Sequence, residues 1–225
     1  METEKAALEE QGIVTISKDI LGTLPAAEFK GDIQVVDTSE QVEEAINFLK
    51  KSPIIGFDTE TRPSFKKGLQ YKVSLIQLST PDKCFLFRIN NIGFPDALKE
   101  IIEDKSLLKI GLSIHDDFHN LSKITELFPR SFIDLQSFVK DYRIVDNSLS
   151  RIFAILFEQR ISKGQRLTNW EAEELSDAQQ AYAALDAFAC IKIYTHLKAG
   201  LFNPLKSKYL TFPRVNKIEN QSQVK

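Results

Sequence analysis

Short apolar runs recur along the chain, and each is bounded by polar or turn-forming residues. Runs of this length, several with alternating apolar and polar positions, predict β-strands. Strands are predicted over residues 33–36, 54–57, 73–79, 84–87 and 107–111. A Pro-Asp pair lies between the third and fourth of these runs, so the two strands are expected to form a hairpin.

Helical patterns lie between the strands and dominate the second half of the chain. Thr38 with Gln41, and Ser176 with Gln179, form capping-box sequences that favour helix starts at these two points. Helices are predicted over residues 39–50, 96–103, 114–128, much of 135–160, and 176–197. Early strands followed by helices that alternate with short strands indicate an α/β fold, with a mixed β-sheet flanked by helices.

The chain has 225 residues, and a domain typically takes about 100–200 of them. Residues 31–200 form one block without a Gly-, Ser- or Pro-rich linker, so we predict a single domain there. Residues 1–30 are polar and weakly periodic and are predicted to be an N-terminal arm or tail. Residues 201–225 are predicted to be a C-terminal tail.

Composition narrows the class of protein. The content of 43% hydrophobic and 27% charged residues is typical of a globular chain rather than a disordered one. Two cysteines, Cys84 and Cys190, suit a reducing compartment better than a disulfide framework. No apolar run approaches the roughly 20 residues of a membrane span, and the N-terminus lacks the apolar core of a signal peptide. We therefore expect a soluble cytoplasmic protein that does not enter a membrane.

Two carboxylates follow the apolar run at residues 54–57. Asp58 and Glu60 are two residues apart, so on a strand their side chains share one face, with Cα atoms roughly 6.6 Å apart. Two anions held this close repel each other, and a bound cation would remove that repulsion. The alternative is a pair of solvated acids at the end of a strand, and the pair alone leaves both interpretations open.

Two further acids lie within apolar stripes of predicted helices. In the helix starting near residue 114, Asp117 falls inside the apolar stripe and Asp116 falls on the opposite face. In the last helix, Asp186 lies in the apolar arc, four residues after Tyr182, so the two side chains point to one place. Asp is almost never fully buried without a partner or a metal. Hydrogen bonds to helix N-termini and an ordinary core tyrosine are the structural alternatives.

Three segments resemble the motifs of the DEDD superfamily of 3′–5′ exonucleases, in the branch that uses tyrosine. They are IIGFDTE followed by VSLIQLST, then LLKIGLSIHDDFHNL, then AYAALDAFA. The chain is similar to ribonuclease D and to the exonuclease domain of the Werner-syndrome helicase over about residues 33–197. The resemblance implies an RNase H-like fold. Ser113 replaces an Asn of many relatives, and the TRPSFKKGLQYK loop is longer than in some.

The resemblance also implies a chemistry. Two divalent cations, Mg²⁺ or Mn²⁺, would activate water and neutralise the phosphate during phosphodiester hydrolysis. Asp58, Glu60 and Asp186 would hold the metal that carries the nucleophilic water. Asp58 would bridge to the second metal with help from Asp117. Tyr182 would orient the attacking water, since a phenol with a pKa near 10 is a poor base.

The substrate implied is a nucleic acid with a 3′ end, either DNA or RNA. Candidate substrate contacts are Thr59, His115, Lys163 and Arg166. The formal net charge of −2 becomes +2 when the four acids of the motifs are left out, so it does not exclude nucleic acid. A protein partner for processivity is possible, and the oligomeric state stays open. The competing hypothesis is a catalytically silent RNase H-like module that binds nucleic acid or a protein.

Overall fold

A computed structural model describes residues 12–212. The strands are β1 Ile13–Val14, β2 Asp32–Val36, β3 Ile54–Thr61, β4 Val73–Ser79, β5 Lys83–Arg88, β6 Leu108–Gly111, β7 Phe132–Asp134 and β8 Leu210–Thr211. The α-helices are α1 Lys18–Thr23, α2 Ser39–Leu49, α3 Ile89–Ile92, α4 Asp96–Glu103, α5 Ile114–Leu121, α6 Leu135–Phe138, α7 Leu149–Phe157 and α8 Asp177–Lys198. Short 3₁₀ helices cover Val139–Tyr142 and Pro204–Lys206.

Six of the strands form one mixed sheet in the order β2-β5-β4-β3-β6-β7. The neighbours β3 and β4, and also β4 and β5, are antiparallel, whereas β2–β5, β3–β6 and β6–β7 are parallel. Helices cover both faces of the sheet. The prediction of an α/β fold with a mixed sheet flanked by helices, including the 73–87 hairpin, is therefore confirmed.

Local signals placed the starts of two helices correctly. Thr38 and Ser176 are the N-caps of α2 and α8, and each forms a complete capping box with the glutamine three residues later. In such a box the two side chains satisfy backbone N–H groups that the first helical turn leaves unpaired. These starts were predictable because a cap depends only on residues adjacent in sequence.

The predicted helix over residues 114–128 is wrong at its C-terminal end, because α5 stops at Leu121. Ser122 closes the helix, and the chain continues as turns in which the N–H of Ile124 donates to the carbonyl of Leu121. Ile124 and Leu127 still pack against the core from this turn, so the apolar periodicity continues past the last helical residue. Phe128, which the pattern placed inward, is exposed.

Helix α8 lies unusually close to the sheet at Gly56 of β3. A Cβ atom added at Gly56 would lie 1.9 Å from the carbonyl oxygen of Ala187, which is a severe overlap. Alanines 183, 184 and 187 of the helix are buried in the same layer. Small residues on both surfaces therefore allow the helix backbone to approach the strand that carries Asp58 and Glu60.

The described parts of the two terminal segments pack on the domain. Strand β1 pairs antiparallel with β8, and Val14 and Ile16 are buried in the core cluster under α7 and α8. The predicted boundaries at residues 30 and 200 stay predictions, and residues 1–11 and 213–225 lie outside the described part. Between residues 12 and 212, no helix combines the length and apolar character needed to cross a membrane.

Candidate active site

Asp58, Glu60 and Asp186 come together where α8 crosses β3. Each offers a carboxylate oxygen, and the three oxygens lie within 4.8 Å of one another. Glu60 and Asp186 are 8% and 7% exposed, and Asp58 is partly buried. Alternation along β3 directs Asp58 and Glu60 to the α8 face, as the strand spacing predicted. The cluster therefore presents only oxygen donors, the type of ligand that Mg²⁺ and Mn²⁺ prefer.

The environment of these acids opposes their ionisation. Burial, followed by the charges of Asp186 and Asp117, raises the pKa of Glu60 to about 9. Burial also raises the pKa of Asp186 to about 7, against the lowering effects of the Tyr182 hydroxyl and of Lys163. The pKa of Asp58 is raised well above its usual value by burial and by the neighbouring carboxylates. A divalent cation would reverse this balance by stabilising the ionised forms.

Asp117 lies beside this cluster and contacts β3 from the other face of the sheet. The hydroxyl of Thr59 donates a hydrogen bond to the Asp117 carboxylate. Burial raises the pKa of Asp117 to about 6, and the Thr59 hydrogen bond opposes the shift. Its charge in turn raises the pKa values of Asp58 and Glu60, so it belongs electrostatically to the same site. Asp116 is exposed, in agreement with the helical phase of the two aspartates.

Asp134, at the end of β7, fixes the start of the helix that carries Asp117. Its carboxylate accepts the backbone N–H groups of Ser113 and Ile114 at 3.1 and 3.2 Å. Ser113 has φ of +62°, a left-handed conformation that turns the chain from β6 into α5. Sequence reasoning missed Asp134, although an aspartate that directly follows an apolar strand and caps the next helix is a recognisable signal.

Tyr182 forms one wall of a cavity of about 300 Å³ beside the acids. The lining includes Asp58, Leu112, Lys163, Arg166, Tyr182 and Asp186. Burial, and then the charge of Asp186, raise the pKa of the Tyr182 phenol well above its ordinary value. The hydroxyl therefore stays protonated at neutral pH, and it can orient a neighbouring group but is a very weak base.

The segment before α8 packs against the sheet and against Tyr182. Trp170 is fully buried, with its ring centroid 6.1 Å from that of Tyr182. Arg88 of β5 donates to the carbonyl oxygens of Ala172 and Glu173, the second at 2.7 Å. These contacts anchor the segment between Arg166 and α8 to the sheet.

The four candidate substrate contacts differ in position. Lys163 and Arg166 are exposed at the cavity, where their charges lower the pKa values of Asp186 and Glu60 respectively. The Thr59 hydroxyl is engaged by Asp117. His115 is exposed on α5 and does not line the cavity that Lys163 and Arg166 share. The cavity therefore brings together two of the four candidates and leaves His115 apart.

Comparisons with known proteins agree with this geometry. The sequence model of a family described as 3′–5′ exonuclease matches residues 33–201. The mouse bifunctional 3′–5′ exonuclease/ATP-dependent helicase WRN is 31% identical over 208 residues, which are 88% of this chain and 15% of the mouse protein. The chain thus spans a small part of that relative.

Solved structures show the same fold. The EXO domain of Aedes aegypti Nibbler superposes with a TM-score of 0.70 at 22% identity, covering 80% of this chain and 96% of that domain. Escherichia coli RNase D gives a TM-score of 0.67 at 22% identity, covering 75% of this chain and 44% of that chain. Because the family match spans the strand and both helices that carry the acids, the chain belongs to the 3′–5′ exonuclease family, and its sequence is similar to that of WRN.

Proposed function

We propose that the protein removes nucleotides from the 3′ end of a DNA or RNA strand by phosphodiester hydrolysis that requires two divalent cations. The observation that carries this proposal is the convergence of three carboxylates within 4.8 Å. Family membership supports the class of reaction and its metal dependence. The choice between DNA and RNA is left to the experiment below. E. coli RNase D, which shares the fold, is an exoribonuclease involved in structured RNA processing.

The residues present fit divalent cations. The donors are all carboxylates, and one oxygen of Asp186, Oδ1, is buried without a hydrogen-bond partner among the described residues. Asp58, Glu60 and Asp186 would hold one ion, with Asp58 and Asp117 at the second. Mg²⁺ or Mn²⁺ bound there would supply an activated water and charge stabilisation for the phosphate.

The other residues of the cavity take complementary roles. Tyr182 would orient the attacking water through its hydroxyl, which its raised pKa keeps protonated. Lys163 and Arg166 would contact phosphate oxygens of the strand, because both are exposed cations at the mouth of the cavity. The apolar side chain of Leu112 lines part of the same cavity.

Activity on oligonucleotides tests the proposal directly. DNA and RNA oligomers with single-stranded 3′ ends and a label at the 5′ end are incubated with the protein and Mg²⁺, Mn²⁺ or EDTA. We expect a ladder that shortens from the 3′ end with either metal and no products in EDTA. Shortening from the 5′ end, or no cleavage combined with no calorimetric uptake of Mn²⁺, would contradict the proposal and favour a silent module.

The adjacent aspartates of α5 provide a matched pair of variants. Asp117→Asn is expected to lower kcat by orders of magnitude, because it removes a charge from the acidic site. Asp116→Asn changes an exposed residue on the other side of the same helix and should stay within a few-fold of the wild type. Steady-state kinetics on one oligomer compare the two. Equal losses in both variants would show that the site is not organised around Asp117.

Tyr182→Phe is expected to lower kcat about 10²–10⁴-fold, since it removes one positioned hydroxyl. The ring would still pack beside Trp170, so the melting temperature and Mn²⁺ affinity should stay near wild-type values. Asp186→Asn removes a charge of the site, so excess Mn²⁺ should partly restore its activity, but not that of Tyr182→Phe. Near-normal turnover of the phenylalanine variant would exclude Tyr182 from the reaction.

The metal-free protein should lose stability as the pH rises from about 5 to about 8. The folded state keeps protons on Asp117 and Asp186, whose pKa values are raised to about 6 and about 7, whereas the unfolded chain has released them. Stability therefore falls as these buried carboxyls ionise. Melting in EDTA at both pH values measures the effect, and Mn²⁺ at pH 8 should restore the loss.

Asp186→Asn supplies the control for this pH dependence. It should melt at a higher temperature than the wild type in EDTA at pH 8, and its melting temperature should vary less with pH. Glu44→Gln, which changes an exposed carboxylate of α2 that is not part of the acidic site, should keep the wild-type dependence. A wild-type protein that is most stable at pH 8 in EDTA would contradict the expected direction.

A further inference from the structure

Gln77 is a fully buried glutamine in the middle of the central sheet. It lies on β4, has 0% of its surface exposed, and neither its side-chain nitrogen nor its oxygen has a hydrogen-bond partner among residues 12–212. By contrast, the hydroxyl of Ser79, two residues further along β4, donates a hydrogen bond to the carbonyl oxygen of Thr80 at 2.8 Å. Gln77 therefore lacks the hydrogen-bond partner that the other buried polar side chain on this face of β4 has.

An unpaired buried amide is costly. Leaving such a group without partners costs about 1–3 kcal/mol, whereas an apolar residue of similar shape would fill the space without that cost. The nearest residues of the sheet on this face, Leu75 along the strand and Leu86 on β5, are apolar and offer the amide no side-chain partner. The amide therefore points to a partner that the fold places nearby.

The strand register identifies that partner as Asp58. Gln77 and Asp58 are directly opposite each other in the antiparallel β3–β4 pair. Directly opposed residues project to the same face, with Cβ atoms about 4.5–5.5 Å apart. A carboxylate accepts hydrogen bonds only, and the glutamine Nε2 carries two donors, so the two groups match in chemistry. The amide can reach the carboxylate by rotation of the side chain.

We propose that Gln77 is a positioning residue for Asp58. When the site is loaded with metal, Nε2 of Gln77 donates a hydrogen bond to the Asp58 carboxylate and fixes its orientation. This inference rests on the proposed function, because it concerns the same metal-binding acid. Gln77 does not touch the substrate in this arrangement. It acts through Asp58, as hydrogen-bonded groups behind metal-ligating carboxylates generally do.

The side-chain oxygen of Gln77, Oε1, also has a candidate partner. The indole nitrogen of Trp170 is buried without a hydrogen-bond partner among the described residues, and Trp170 belongs to the same apolar cluster as Leu75 and Leu86. An indole N–H only donates and the glutamine Oε1 only accepts. Pairing between them would leave Nε2 free for Asp58. Pairing with Trp170 alone is the competing, purely structural role.

Gln77→Met separates these roles, since it keeps the length of the side chain and removes both polar groups. Calorimetry should show Mn²⁺ affinity about 10–100-fold weaker than in the wild type, with kcat lowered and the KM for an oligonucleotide unchanged. The melting temperature in EDTA should be unchanged or higher. Ser79→Ala is the matched control, a buried polar residue on the same strand and face, and should bind Mn²⁺ like the wild type.

Wild-type Mn²⁺ affinity and kcat in Gln77→Met would overturn the inference while leaving the proposed function intact. Absence of Mn²⁺ uptake by the wild-type protein would instead refute the proposed function, on which the inference depends. The two failures are therefore distinguishable in one set of titrations.

A measurement on the wild-type chain covers the case in which Gln77→Met does not fold. With ¹³C,¹⁵N-labelled protein, the side-chain amide signals of Gln77, assigned by triple-resonance spectra of the wild-type chain, should shift and exchange more slowly when Mg²⁺ is added. The backbone amide of Thr59, next to Asp58, reports that the metal is bound. A shift at Thr59 with none at Gln77 would overturn the inference.

Discussion

The close approach of α8 to β3 is the constraint on which the rest of the site depends. Gly56 has no side chain, and the carbonyl of Ala187 occupies the space that a Cβ would need. Because Ala187 follows Asp186, and Gly56 precedes Asp58 by two residues, this contact also sets the distance between carboxylates that are remote in sequence. A larger residue at Gly56 would move the helix away and open the acidic cluster, so the packing of the core and the geometry of the site are one feature.

That geometry has an electrostatic cost. Burial raises the pKa values of all four acids, and repulsion by neighbouring carboxylates adds to the shift of Asp58, Glu60 and Asp117. The charges of Lys163 and Arg166 and hydrogen bonds from Thr59 and Tyr182 oppose these shifts. Side chains chosen for stability alone would be apolar at these positions. The fold tolerates the acids because the sheet and α8 bury a large apolar surface around them. The apolar surroundings therefore offset the cost of burying the acids, and binding of a cation would stabilise the folded protein further.

Strand β3 organises the acids on two sides of the sheet. Asp58 and Glu60 face α8, whereas Thr59 between them faces α5 and donates its hydroxyl to Asp117. Because successive side chains of a strand point to opposite faces of the sheet, β3 contacts both α8 and α5, which lie on different faces. Asp134 supports this arrangement at a distance, since its carboxylate holds the first turn of α5. The position of Asp117 thus depends on Thr59 and Asp134, and that of Asp186 depends on Gly56, although none of these three residues is proposed to bind the metal.

Local features of the sequence determined much of this protein. The capping boxes at Thr38 and Ser176 fixed two helix starts, and the helical phase separated Asp117 from Asp116, because both effects depend on neighbours within a few residues. The end of α5 could not be predicted, since Ile124 and Leu127 reach the core from a turn as well as they would from a helix. The convergence of Asp186 and Asp58 was expected only from the resemblance of the motifs to a known family, and only the tertiary structure directed Asp134 to α5 and buried Gln77 opposite Asp58. These relations rest on strand register and on the depth of helix packing, which arise from contacts between segments distant in the chain and leave no local pattern in it.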